Sequence, residues 1–161
     1  MRIGLTRLMV WCGAACMLLP AVNAVAAQVD MFITIDGIKG EAAGGAIHLT
    51  NVVHQMDAAS GMATGKRQHN AITITKEVDS ASPRFAQALA TNETLKTVQI
   101  VFQGSGAGAS KVAQRIALTN ATIVGIRKVG NTEQITLDYQ TSEVTWTDGG
   151  KTMADDWNVP R

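Results

Sequence analysis

The sequence predicts a mainly β fold, a barrel or two-sheet sandwich carrying one short α-helix. Three observations predict it. Past residue 27, apolar and polar residues alternate at a period of two, the spacing of strands with one buried face. Turn pairs such as Asp36-Gly37 punctuate those runs. A single segment, after Ser82-Pro83, shifts to helical spacing.

In chain order, Met31-Phe32-Ile33-Thr34-Ile35 is a strand closed by the Asp36-Gly37 turn. In the next run Ile47, Leu49 and Val53 share one face, with His48, Thr50, Val52 and His54 on the other. Ile72 and Ile74 alternate with Thr73 and Thr75. Ser82-Pro83 then offers an N-cap and a proline at the first helical position; Phe85, Ala88 and Leu89 recur at helical spacing, and Asn92 is the stop. Val98, Ile100 and Phe102 form a strand, and Ile116, Leu118, Val124 and Ile126 hold one register through a longer one. Ile135, Leu137 and Tyr139 occupy odd positions, whereas Val144 and Trp146 occupy even ones. That switch near Thr141-Ser142 marks a bulge or a barrel corner. Seven strands result. Two connections stand out: a long polar loop over residues 58–70, and a Gly, Ser and Ala run over 104–110.

Residues 1–27 have the form of a secretory signal. Arg2 and Arg7 supply the positive start, an apolar stretch runs from Leu8 to Leu19, and Pro20 breaks it. That stretch is shorter than the roughly 20 residues a membrane span needs. Small residues follow, and cleavage after Ala27 makes Gln28 the first mature residue. Both cysteines, Cys12 and Cys16, lie in the leader without the flanking pattern of a lipoprotein, so residues 28–161 carry no disulfide or thiol chemistry. The formal charge is +1 for the whole chain and −1 without the leader, with basic residues scattered. Nucleic-acid binding needs a concentrated basic face, and stable membrane insertion needs a longer apolar run; neither is expected.

No constellation of residues points to catalysis or to a cofactor. His48 and His54 would stand about 20 Å apart on a straight strand, too far to share one metal ion. His69 sits in the long loop with no carboxylate or thiol beside it. Gly104 to Ala109 matches a dinucleotide fingerprint in letters, but an alternating strand follows where that motif needs a helix. Ser110, where a phosphate-binding loop has glycine, precedes Lys111. No serine sits in a nucleophile elbow. Asp155-Asp156 is an adjacent carboxylate pair near the chain end, expected to be solvated.

Two blocks carry a family likeness. Residues 29–41, Val-Asp-Met-Phe-Ile-Thr-Ile-Asp-Gly-Ile-Lys-Gly-Glu, resemble the N-terminus of the type VI secretion tube protein, the haemolysin-coregulated (Hcp) family. Residues 72–83, Ile-Thr-Ile-Thr-Lys-Glu-Val-Asp-Ser-Ala-Ser-Pro, resemble that family's centre. The likeness rests on Asp30, Met31, Phe32, Asp36, Gly37, Lys39 and Gly40 in the first block, and on Lys76, Asp79, Ser82 and Pro83 in the second. It continues through the later β pattern to Trp157-Asn158-Val159. Val52 to Met56 lack the tryptophan usual in the family's second strand, and the family normally lacks a signal peptide. Starting instead at Met31 would delete Val29 and Asp30, which belong to the likeness, so the leader is taken as genuine.

The resemblance implies a β-barrel-like pair of sheets with one helix, no cofactor and no active site. It also implies six-membered rings that stack into a tube and carry effectors, with sheath, spike and effector proteins as further partners. By the same likeness the 58–70 loop, with Gly65, Lys66, Arg67 and His69, would contact a neighbouring subunit. The leader points to an exported, periplasmic or secreted protein, and so to a second expectation: an exported binding or scaffold module built on the tube-protein fold. A third, a secreted hydrolase using one of the histidines, would be removed by replacing all three with alanine without loss of function.

Overall fold

In the computed structural model the described residues are 28–55, 70–105, 111–147 and 149–156. Nine strands and one α-helix occupy most of them: β1 (Gln28–Ile35), β2 (Ile47–Leu49), β3 (Asn51–Val53), β4 (Ile72–Glu77), α1 (Ser82–Ala90), β5 (Thr94–Ser105), β6 (Lys111–Val129), β7 (Thr132–Asp138), β8 (Thr141–Trp146) and β9 (Lys151–Asp156). The leader, the stretch 56–69 with Gly65, Lys66, Arg67 and His69, and Trp157-Asn158-Val159 lie outside the described residues.

All strand pairings are antiparallel, in the order β2-β1-β5-β6-β7-β4-β3. The two ends of that path are consecutive in the chain, separated by Thr50 alone, so the sheet closes on itself. The single strand expected over 47–53 is therefore two. Its first half pairs with β1 and its second with β4. At the corner, both the amide and the hydroxyl of Thr50 donate to the Thr75 carbonyl, at 2.8 and 3.1 Å. Closure of this kind removes most of the exposed strand edge.

The barrel interior is aliphatic. Ile33, Ile47, Ile72, Ile74, Val98, Ile100, Leu118, Ile135 and Leu137 are fully buried, as their parity predicts. Helix α1 packs across β6, sending Phe85 and Ala88 into the core. It ends in a Schellman motif: the Glu93 amide donates to the Ala88 carbonyl and the Asn92 amide to that of Leu89, with Asn92 at φ 50°. Asn92 is thus the stop the sequence predicts. The start differs. Ala81 holds the N-cap position without a side-chain cap bond, and Ser82 lies inside the helix with its hydroxyl engaged elsewhere.

Strand β6 is the structural pivot. On one edge it pairs with β5; on the other it pairs with β8 over Gln114–Thr119 and with β7 over Thr122–Val129. The single register expected from Ile116 to Ile126 is broken twice. Asn120 has φ 51°, after which the buried positions become Ala121 and Ile123. Val124 is then the extra residue of a bulge between Ile123 and Gly125, about half exposed, and Ile126 returns inward. The partner strand breaks opposite the first irregularity. The Gln140 amide donates to the Thr119 carbonyl at 3.2 Å, and Asn120 Nδ2 donates to Gln140 Oε1 at 2.7 Å. This is the corner that the parity switch after Tyr139 announces. Beyond it, β8 and β9 form a hairpin wing off the barrel. Asp155 and Asp156 belong to β9, a strand the sequence pattern does not reveal, rather than to an unstructured tail.

Gly40 shows how closely the first loop is packed. A Cβ there would lie 2.5 Å from the Ala46 carbonyl oxygen and closer still to Ile47 Cγ1. Gly40→Ala is expected to destabilise the fold by about 1–3 kcal/mol, the usual cost of overpacking, read as a lowered urea midpoint.

Candidate functional site: where the two signature blocks meet

Lys76 follows Ile72 and Ile74 on the inward face of β4, and Glu133 precedes Ile135 and Leu137 on the inward face of β7. The register places the two directly opposite. Both are buried, at 0% and 1% exposure. Desolvating two charges costs several kcal/mol per ion, so such a pair survives only when well bonded. Here it is. Lys76 Nζ donates to the Glu77 carbonyl at 2.6 Å, to Asp79 Oδ1 at 2.7 Å and to Glu133 Oε1 at 2.9 Å, with Ser82 Oγ at 3.2 Å. The Ser82 hydroxyl donates to Glu133 Oε1 at 2.6 Å and accepts from the Asp79 amide at 3.1 Å. Asp79 Oδ1 also accepts from the Ala81 amide at 2.9 Å, which fixes the turn into α1. The Phe85 ring centroid lies 5.8 Å from Nζ, within cation–π range. Among the described residues Glu133 Oε2 has no hydrogen-bond partner; it faces Lys128 Nζ at 3.8 Å.

The first block reaches the same place by its C-terminal half. Asp36 donates its amide to the Thr97 carbonyl, and Gly37 takes φ 85°, the left-handed turn that glycine favours. Gly37 sits below Arg84 of α1, and Lys39 lays its aliphatic stem against Gly45. Gly40 donates to the Gly45 carbonyl at 2.8 Å, and Glu41 Oε1 accepts from the Ser80 amide at 3.3 Å. Asp36 to Glu41 and Asp79 to Ser82 are therefore neighbours in space. Pro83 is exposed in the first turn of α1. The N-terminal half of the block lies farther along β1. Asp30 pairs with Gln103, Met31 packs against the core, and Phe32 faces outward, edge-on to His48 at 5.4 Å. Gln28 is the first residue of β1, opposite Ser105.

Glu133 and Glu41 were not among the residues singled out, yet Glu133 is the buried counter-ion of Lys76 and Glu41 ties the first loop to Ser80 through an exposed hydrogen bond. A signal for Glu133 existed: like Lys76, it is a charged residue on the inward parity at the end of an isoleucine-bearing strand. The histidines diverge, since the run that carries them is split at Thr50. His48 meets Phe32 edge-on, whereas His54 Nε2 lies 3.4 Å from the Tyr139 hydroxyl. Among the described residues, no group of three or more His, Cys, Asp or Glu is placed to hold a metal ion. Past residues 106–110 the chain enters β6, so the helix a dinucleotide fingerprint requires is not there. No described helix is long and apolar enough to cross a membrane. The arrangement is a lock: it joins β4, β7, the start of α1 and the β1–β2 loop.

Residues 32–146, which contain this junction and most of the barrel, match the family model described as "Type VI secretion system effector, Hcp". The chain belongs to the Hcp family. A Pseudomonas aeruginosa protein named "Major exported protein" is 33% identical over 124 residues, 68% of this chain and 71% of that protein. The solved structure of an Hcp1 variant from E. coli EAEC 042 superposes with a TM-score of 0.69 at 28% identity, covering 82% of this chain and 99% of the other. The "Secreted protein Hcp3 from Pseudomonas aeruginosa", at 23% identity and TM-score 0.67, covers 83% and 100% and has the same fold. As an Hcp protein the chain is a type VI secretion tube- or effector-related protein.

Two predictions test the lock and its surroundings. Lys76→Met leaves the buried Glu133 carboxylate without its counter-ion and is expected to cost about 3–5 kcal/mol by urea unfolding; Lys76→Met with Glu133→Leu is expected to cost less than Lys76→Met alone. At His54, burial holds the imidazole pKa below its ordinary 6.5. The fold thus favours the neutral ring, and the unfolded chain takes up the proton at higher pH than the folded one. The resulting stability is present above pH 6.5 and is lost as pH falls through 6.5 toward the lower folded value. His54→Gln should remove that part of the loss in urea midpoint between about pH 7.5 and 5.5.

Proposed function

We propose that this chain is the ring-forming tube subunit of a type VI secretion-like system. Copies assemble six to a ring, rings stack into a tube, and the lumen carries effectors. Sheath, spike and effector proteins are the further partners, and the chain's work is structural rather than catalytic. The observation that carries this reading is the family match over residues 32–146, supported by the fold likeness to solved Hcp proteins across about four-fifths of the chain.

Residues 58–70, with Gly65, Lys66, Arg67 and His69, are proposed to contact a neighbouring subunit. In support, the chain leaves β3 and re-enters β4 at the end of β4 remote from the lysine lock. Residues 1–27 are proposed as a signal peptide cleaved after Ala27. In support, residues 1–27 combine a basic start, a short apolar stretch and small residues before Gln28. The name "Major exported protein" of the Pseudomonas relative also favours export.

Two outcomes are expected. Purified protein should show uniform rings by negative-stain microscopy and a light-scattering mass of six chains; a stable monomer at high concentration would overturn the tube reading and favour an exported binding or scaffold module. Mass spectrometry of protein recovered from the periplasm or medium should give an N-terminus at Gln28. The intact leader on exported protein would refute cleavage.

A further inference from the structure

We propose that Lys128 is the outer half of the lysine lock: its ammonium closes on Glu133 Oε2 as a latch that holds the turn end of the β6–β7 hairpin to the start of α1. An imbalance of charge points to it. Inside the lock one ammonium, that of Lys76, meets two carboxylates, those of Asp79 and Glu133. Glu133 uses Oε1 for Lys76 and Ser82, whereas Oε2 is buried and has no hydrogen-bond partner among the described residues. A carboxylate oxygen shut away from water without a partner is costly, and a cation within reach relieves that cost.

The strand register supplies that cation. Lys76 stands opposite Glu133 across β4 and β7, and Glu133 stands opposite Lys128 across β7 and β6. The three residues form one rung on one face, with the acid between two bases. Directly opposed positions have Cβ atoms about 4.5–5.5 Å apart, and opposite charges placed there attract. Lys76 is wholly buried, whereas Lys128 is 59% exposed with Nζ 3.8 Å from Oε2. A shift of about 1 Å turns that ion pair into a hydrogen bond. The two bases therefore differ in kind. Lys76 is enclosed by the core, but Lys128 can swing into solvent and return. The other charges of this end have the opposite parity: Glu77 is opposite Thr132 and Arg127 opposite Gln134, so neither stands in the rung.

What the latch holds is the end of the hairpin. Val129 and Thr132 form the last rung before the Gly130-Asn131 turn, where Gly130 takes φ 60° and the Thr132 hydroxyl donates to the Val129 carbonyl at 2.9 Å. The Val78 amide, just past β4, donates to the Asn131 carbonyl at 2.9 Å, which bonds the turn to the connection leading into α1. With the latch closed, β6, the turn and that connection are held as one body. With it open, the bond between Val78 and Asn131 loses its nearest support, and that end of the fold opens locally more often.

The latch lies within one chain, so it stands independently of the tube reading. The test is hydrogen exchange of the Val78 amide, followed by NMR in the whole protein. Lys128→Gln is expected to speed that exchange several-fold. Lys128→Arg, which keeps the charge, should stay near the wild-type rate, and so should Arg127→Gln, the neighbouring base of opposite parity. In a Glu133→Gln background, Lys128→Gln should add no further acceleration. Where that background is too unstable to measure, salt takes its place: raising sodium chloride to about 1 M, where the screening length is about 3 Å, should shrink the difference between wild type and Lys128→Gln. The latch is overturned if Lys128→Gln exchanges no faster than the wild type or than Arg127→Gln, or if arginine fails to restore protection. It is equally overturned if the effect persists undiminished without the Glu133 charge or at high salt.

Discussion

A lysine ammonium held away from water is tolerable only if polar oxygens replace its hydration, and Lys76 has four: two carboxylates, one carbonyl and one hydroxyl. Much of the helix-bearing end of the molecule is arranged to supply them. Glu133 arrives from β7, which fixes the β4–β7 register, because a one-residue slip would point one charge outward and the other inward. Asp79 and Ser82 arrive from the turn into α1, and in doing so set where the helix begins. Glu41 then ties the first loop to the same turn. Replacing such a cluster with aliphatic residues can be energetically neutral, so its value lies in geometry: one arrangement satisfies it, and neighbouring ones do not.

The barrel was legible in the sequence because one buried face per strand writes itself as alternation. Ile33, Ile72, Ile74, Ile100, Ile135 and Leu137 all point as their parity says. What alternation hides is a change of partner. The run from Ile47 to Val53 reads as one strand, yet its inward parity changes at Thr50: Ile47 and Leu49 face the core beside β1, whereas beside β4 Val52, opposite Ile74, packs on the core and Val53, expected inward, is about half exposed. Along β6 two opposite irregularities, at Asn120 and Val124, cancel in sequence, so Ile116 and Ile126 look continuous when they are not. Strand β9 was invisible for a different reason. It has no buried face to record, and Asp155-Asp156 resembles a solvated end.

The lock was half legible. Lys76 and Asp79 were marked by family likeness alone, Ser82 by likeness and by its place before proline, and neither signal gave their actual reason. Their reason is Glu133, distant in sequence and adjacent only once the β4–β7 register exists. Ser82 illustrates the difference between motif and chemistry: its position before proline suggests a helix cap, yet its hydroxyl bridges a buried lysine, a buried glutamate and a backbone amide. A site of this kind has bonding groups turned inward on one another, which suits a fold that must keep its shape.

The forked strand β6 has a mechanical consequence. The wing reaches the barrel chiefly through the ladder over Gln114–Thr119 and the stitched corner at Asn120 and Gln140. A pull on the wing along the strand direction loads those rungs together, in shear. A pull across the strands opens them one after another, like a zipper. The wing therefore resists tension along one direction and yields to it along the perpendicular one, and β6, which also runs through the barrel wall, is the member that conveys the load.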